Sequence, residues 1–202
     1  MSSLKIQWLG RVPYDAALAM QESLVQRKAE DPNASDHLLL LEHESVYTTG
    51  RTIAPGDLGE VPYPVLQTNR GGKATYHGPG QLVGYPVLDL RRRGQDLHRY
   101  LRVLEEGVMK LSARVGVTGC VRDGLTGVWV GERKLASIGV GVRRWITMHG
   151  FALNVCGPLD GFNHITPCGL DGVKMTSLEL EGATGCTVEG AAELAAEVFA
   201  GL

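Results

Sequence analysis

Hydrophobic and polar positions alternate along this chain in a way that divides it into strands, three helices and long glycine-rich connections. Residues 4–9 read as a strand, and Pro13 opens an amphipathic helix whose expected apolar face carries Ala17, Met20 and Leu24 until Asp31-Pro32 stops it. Residues 37–42 form the next strand, with the unbroken run Leu38, Leu39, Leu40, Leu41 expected to be covered on both sides. From residue 46 to 94 the chain is rich in Gly, Pro, Thr and Tyr, and short strands are expected at 65–68, 74–76 and 82–90.

Leu97, Tyr100, Leu101, Leu104, Val108, Leu111 and Val115 then recur at steps of three and four, which predicts a helix capped by Asp96 and ended by Gly116. Residues 128–130 and 135–142 flank Gly131-Glu132-Arg133-Lys134, a hairpin whose loop or edge carries Lys134. A strand at 146–155 is expected to bend at Gly150. Residues 157–174 hold two prolines and four glycines in irregular order and predict a long loop over the sheet, with Cys168 in it. A closing helix begins at Thr187 and presents Ala191, Leu194, Ala195, Val198, Phe199 and Leu202 on one face. The expected architecture is one α+β domain over residues 1–202, a mixed β-sheet flanked by helices.

Composition narrows the function classes. With 202 residues, 44% hydrophobic and 21% charged, the chain can bury a full core. Its 20 basic and 22 acidic side chains nearly cancel, so nucleic acid and anionic lipid are not expected partners. The start lacks the flank and apolar stretch of a secretory signal, and no run spans a bilayer, which points to the cytoplasm. Cys120, Cys156, Cys168 and Cys186 include no C-x-x-C pair, so reduced thiols are expected. Cys120, Cys156 and Cys186 read as small buried hydrophobes.

The densest chemical signal is Arg70-Gly71-Gly72-Lys73-Ala74-Thr75-Tyr76-His77-Gly78-Pro79-Gly80-Gln81. It is either a turn-rich β connection or a loop whose glycines let backbone approach a ligand while Arg, Tyr and His add polar reach. It is not a P-loop, since no G-x-x-x-x-G-K-[ST] occurs. Cys168 is set apart from the other thiols by Pro167 and Gly169, and a thiol with a pKa near 8.5 needs a cation or base beside it to attack at neutral pH. Lys134 and His77 are the candidates. His149, inside a strand, ranks below His77 as a structural histidine. The histidines are not spaced as metal ligands, and no metal is expected. Arg91-Arg92-Arg93 and Arg143-Arg144 are solvated faces or a landing site for an acidic carrier.

Three long motifs, RGGKATYHGPGQLVGYPVLDL, GERKLASIGVGVRRWITMHGFALNV and ITPCGL, together with LLLLEHESVYTTGR near the start, make the chain resemble the octanoyltransferase (lipoyl/octanoyl transferase, lipoate-protein ligase B) family. The resemblance implies the fold of biotin and lipoate ligase catalytic domains. It also implies transfer of octanoyl from octanoyl-acyl carrier protein to a lysine of lipoyl domains, those of 2-oxoacid dehydrogenase acyltransferase subunits and glycine-cleavage H protein. No cofactor is implied, and a monomer is expected. The family's cysteine thioester falls on Cys168 and its assisting lysine on Lys134. Its substrate-binding positions fall on Arg70, Gly71, Gly72, Lys73, Ala74, Thr75, Tyr76 and His77, on Ser137, Ile138 and Gly139, and on Gly150, Phe151 and Ala152. The rival readings are an ATP-dependent lipoate or biotin protein ligase and a noncatalytic carrier-binding protein.

Overall fold

The computed structural model describes residues 4–166 and 172–202. Strand β1 (Leu4–Arg11) leads into helix α1 (Tyr14–Glu30) and returns as β2 (Asp36–Glu42), paired parallel to β1. A parallel return needs such a crossover, and α1 supplies it across one face of the sheet. The remaining large-sheet strands are β6 (Gln81–Val87), β7 (Cys120–Arg122), β8 (Leu125–Val130), β9 (Arg133–Arg143), β10 (Ile146–Asn154) and the short β11 (Lys174–Met175). Their order is β1-β2-β6-β10-β9-β8-β7, with β11 parallel to the start of β9. Strands β4 (Val65–Gln67), β3 (Val46–Thr49) and β5 (Thr75–His77) form a separate three-stranded sheet in that order. The VYTT segment of β3 was not among the expected strands, because four residues without alternation carry little periodic signal.

Helices α2 (Leu97–Arg114) and α3 (Val188–Val198) cover the face opposite α1. Asp96 accepts from the Arg99 N–H and Thr187 from the Gly190 N–H, the two caps that the sequence places there. Gly116 takes a left-handed φ of 82° just past α2. Leu38, Leu40, Leu82, Phe151 and Leu153 pack with Leu104, Val108 and Leu111 of α2 and with Ala195 and Phe199 at the end of the chain. Leu39, Leu41, Val83, Tyr85 and Ala152 pack with Val12 and Ala17 on the α1 side. Two covered faces explain why β2 is a continuous leucine run.

Four expectations are corrected. The buried face of α1 is Tyr14, Ala17, Gln21, Val25 and Lys28, and Met20 is exposed. The apolar pattern misplaces that face because its polar members meet buried partners. Lys28 Nζ lies 2.6 Å from Asp36 and donates to the Ala34 carbonyl, while Gln21 Oε1 accepts from the His149 N–H at 2.7 Å. Strand β10 is irregular at His149, with φ 57°, and not at Gly150. Gly150 is needed for another reason: a Cβ there would strike the Gly84 carbonyl oxygen on β6. Strand β6 ends at Val87, and Leu90–Arg93 is a 3-10 turn. Cys120, expected to be buried, is exposed at the sheet's outer strand, and Cys156 and Cys186 are half-buried.

The Arg91-Arg92-Arg93 cluster is engaged internally. Arg91 grips Asp89 through two hydrogen bonds of 2.9 and 2.7 Å, Arg92 reaches the Pro32 carbonyl and Asn33, and Arg93 meets Asp36 at 2.9 Å. Hydrogen bonds from Arg91 hold the Asp89 carboxyl below the usual carboxylate range; at Asp36, burial pushes upward but bonds from Lys28 and Arg93 win. No helix among the described residues is long and apolar enough to cross a membrane.

Candidate active site

The middle of the sheet's α1 face is built from small residues. Gly139 lies opposite Gly150 and Ser137 opposite Ala152 in the β9–β10 register, so the floor between the strands is nearly bare backbone. On the other face the intervening Phe151 and Leu153 belong to the α2–α3 core. The connection from β4 to β5 closes over this floor, pinned by the Gly71 N–H to the Val140 carbonyl at 2.9 Å. Arg70, buried, spreads its guanidinium over four acceptors: the carbonyls of Gly71, Lys73 and Thr48 and the Thr48 hydroxyl. Its stem crosses Gly139, where an added Cβ would sit 3.2 Å from Arg70 Cδ.

Between floor and cover runs a narrow cleft, open to solvent on one side. Arg70, Gly72, Lys73, Ala74, Thr75 and His77 line it from the cover, Ser137, Ile138 and Gly139 from β9, and Gly150, Phe151 and Ala152 from β10. Tyr14, Tyr85 and His149 complete the walls. Gly71 and Tyr76 are placed differently. Gly71 ties the cover to β9, and Tyr76 turns into an aromatic cluster with Tyr47, Tyr63 and Phe162, its hydroxyl 2.9 Å from Ser45 Oγ.

The histidines around the cleft are held neutral. Gln81 donates its amide to Asn154 Oδ1 and the Tyr76 carbonyl, so its Oε1 accepts from His77 Nδ1–H at 2.7 Å. Burial first, and the neighbouring His43 second, pull the His77 pKa down to about 3. His43 donates Nδ1–H to the Val12 carbonyl and accepts the Tyr85 hydroxyl at Nε2, and burial lowers it to about 4. Neutral histidines of this kind orient their neighbours rather than supply charge.

His149 carries more than its strand position suggests. Its left-handed backbone is strained for a residue with a side chain, and the Gln21 bond to its N–H holds it there. Nε2–H donates to Asn69 Oδ1 at 2.6 Å, which leaves Nδ1 as a bare acceptor, buried and without a partner on the cleft wall. Burial, then Arg70, lower its pKa to about 4. Thr75 Oγ1 and Ser137 Oγ, also in the lining, are buried without partners as well. Such orphaned groups are uncommon in a finished core and suit a site that receives a polar ligand group. The only sequence signal for His149 was a polar residue inside an otherwise apolar strand.

Lys134 is neither in the hairpin loop nor at an exposed edge. It sits within β9, 1% exposed, while the turn proper is Gly131-Glu132. The β8–β9 register steps from Val128 opposite Ala136 to Trp129 opposite Lys134, leaving Leu135 as an extra residue in a bulge. Bulges of this kind re-aim a side chain. On its other side the Lys134 carbonyl accepts the Thr176 N–H at 2.9 Å, and the Thr176 carbonyl accepts from Asn154, which is bonded to Gln81. The lysine's strand and the His77 loop thus share one hydrogen-bonded chain. Cys168 lies outside the described residues. Among the described residues, no group of three His, Cys, Asp or Glu side chains is placed to hold a metal ion.

Residues 13–200 match the family described as the lipoyl protein ligase A/B catalytic domain. The chain is 51% identical over 202 residues to an octanoyltransferase of Geobacter sulfurreducens, covering 98% of this chain and 84% of that protein. It is 48% identical over 173 residues to one of Nostoc sp., covering 84% and 78%. Among solved structures it is similar to a lipoate-protein ligase A bound with ATP, at TM-score 0.76 and 14% identity over 98% of this chain and 84% of that one. It is also similar to the biotin protein ligase of Aquifex aeolicus, at TM-score 0.54 and 13% identity over 98% and 68%. The fold is therefore that of lipoate and biotin ligase catalytic domains, and the chain belongs to the lipoyl protein ligase A/B catalytic domain family, within its octanoyltransferase group of acyltransferases.

Proposed function

We propose that this protein moves an octanoyl group from the thioester of an acyl carrier protein to a lysine of a lipoyl domain, through an acyl-thioester on Cys168. The observation that carries the reading is the small-residue floor of Ser137, Gly139, Gly150 and Ala152 beneath the Arg70 cover, in a chain half-identical to octanoyltransferases. A slot of backbone and small side chains accepts a straight alkyl chain. Burying octanoyl at about 0.8 kcal/mol per methylene yields roughly 5 kcal/mol, enough to reject much shorter chains, whereas one methylene more or less is discriminated weakly.

In the first step the Cys168 thiolate, stabilised by the Lys134 ammonium, adds to the thioester carbonyl. The tetrahedral intermediate collapses, the C–S bond to the carrier breaks, and the carrier's thiolate takes the proton of the Lys134 ammonium, which leaves Lys134 as the neutral amine. In the second step the lipoyl-domain lysine, as a neutral amine, adds to the acyl-enzyme. Its proton passes to the amine of Lys134, and Cys168 leaves as thiolate. A thioester is exchanged for the more stable amide, so ATP is not consumed.

Steady-state rates at varied carrier and acceptor test this order. Parallel double-reciprocal lines without nucleotide are expected. Intersecting lines, or a strict ATP requirement, would favour direct transfer or the ligase reading. An acyl-carrier interface without catalysis would give binding and no amide.

A further inference from the structure

The lysine given the proton-transfer role above rests against a side chain that no part of the reaction itself uses. Trp129 lies directly opposite Lys134 across the β8–β9 pair, and Lys134 Nζ stands 5.3 Å from the centre of the indole ring. Arg122 on β7 places its guanidinium carbon 5.2 Å from the same ring. Trp129 is fully buried. Its neighbour Val128 joins the main apolar cluster, whereas Trp129 is flanked by these two cations.

Two features separate this position from ordinary packing. The indole Nε1–H is buried without a hydrogen-bond partner, a cost that Phe or Leu would not incur if volume were all the position required. The lysine stem also has a path prepared for it. Gly127, at φ 128°, leaves space two residues before Trp129; a Cβ there would come 2.8 Å from Lys134 Cε and 2.5 Å from the Ala136 carbonyl oxygen. The Gly127 N–H is itself held by buried Glu105 on α2 at 2.9 Å. The bulge at Leu135 sets the origin of the side chain, Gly127 its course and Trp129 its end.

We propose that Trp129 is a positioning residue for Lys134, its ring face fixing the location of the ammonium that serves the acylation step through a cation–π contact and Gly127 giving the stem room to reach it. The inference rests on the role given to Lys134 above. A lysine has four rotatable bonds and a compact charge, so a ring face that narrows its stem conformations raises the share of time the ammonium spends at the distance a proton transfer needs.

The test is single-turnover acylation of the full-length protein by octanoyl-carrier, together with steady-state transfer, in Trp129→Leu, Trp129→Phe, Lys134→Ala and the Trp129→Leu/Lys134→Ala double variant. Trp129→Leu is expected to lower kcat between about tenfold and a hundredfold with carrier KM within about twofold. Trp129→Phe, which keeps an aromatic face, should recover most of it. The double variant should be no slower than Lys134→Ala alone, because a positioning residue has nothing left to position. An additive loss in the double variant, or Phe as slow as Leu, overturns the inference and makes Trp129 a packing residue. If Trp129→Leu fails to fold, Trp129→Met takes its place with the same expectations. A slow Lys134→Ala with an unimpaired Trp129→Leu sinks this inference alone. Lys134→Ala at full rate removes the role of Lys134 and this inference with it.

Discussion

The two faces of the large sheet are made from the same strands but filled differently. Toward α2 and α3, β2, β6 and β10 present Leu38, Leu40, Leu82, Phe151 and Leu153, and the helices answer with Leu104, Val108 and Phe199. Gly107 of α2 lets the Phe199 ring lie on the helix backbone, since a Cβ there would strike it. Toward α1 the centre of the same sheet offers Ser137, Gly139, Gly150 and Ala152, with His43, His77, His149 and Arg70 buried around them. One face gains stability from apolar area; the other gives up that area for space and for fixed polar groups.

The largest effect that would sharpen the contrast is Lys134→Ala. It should cut the rate of octanoyl transfer by the folded protein about a thousandfold, as expected when a proton-transfer group is lost, while the space emptied by its buried stem lowers the thermal midpoint. Leu104→Ala is the converse. Leu104 is fully buried on the α2 face, and its truncation should cost about 3 kcal/mol in denaturant unfolding while kcat of the folded fraction is unchanged. A large fall in kcat there would break the division of labour between the faces.

Acid should expose the polar face next. His43, His77 and His149 have folded pKa values of about 4, 3 and 4 against 6.5 when exposed. Below 6.5 the unfolded chain takes up protons that the folded chain refuses, so stability is full above that pH and falls as pH drops toward about 4. The three together should remove on the order of 5 kcal/mol between pH 7 and 5, read from urea midpoints, and His77→Gln should flatten the slope. An unchanged midpoint over that range would mean that these histidines are not buried neutral. The smallest expected effect is Gly139→Ala. Its Cβ would meet Arg70 Cδ at 3.2 Å and the Gly71 carbonyl at 3.3 Å, a contact that raises the cover slightly. Octanoyl transfer should fall about tenfold in kcat/KM, with preference shifting toward shorter chains, at little cost in stability.

Much of this arrangement is written locally. The caps at Asp96 and Thr187 and the apolar stripe of α2 follow from periodicity, and the clustering of Gly72, Ser137, Gly139 and Gly150 marks where backbone must remain uncovered. What the sequence does not reveal depends on partners distant along the chain. Gln21 and Lys28 are buried only because His149 and Asp36 come back to meet them, so an apolar count turns α1 to the wrong face. The strain at His149 and the bulge that aims Lys134 at Trp129 are matters of strand register, which no single segment encodes. Cys168 is singled out by its motif, and the role proposed for it rests on that motif.

The central claim is tested most directly by mixing the full-length protein with octanoyl-acyl carrier protein, without ATP or acceptor, and measuring intact mass and then peptides. The account predicts that one octanoyl group is added on Cys168, is released by hydroxylamine and passes to a lipoyl-domain lysine when that domain is supplied. Absence of the adduct without ATP, or a hydroxylamine-labile thioester persisting in Cys168→Ser, would contradict it.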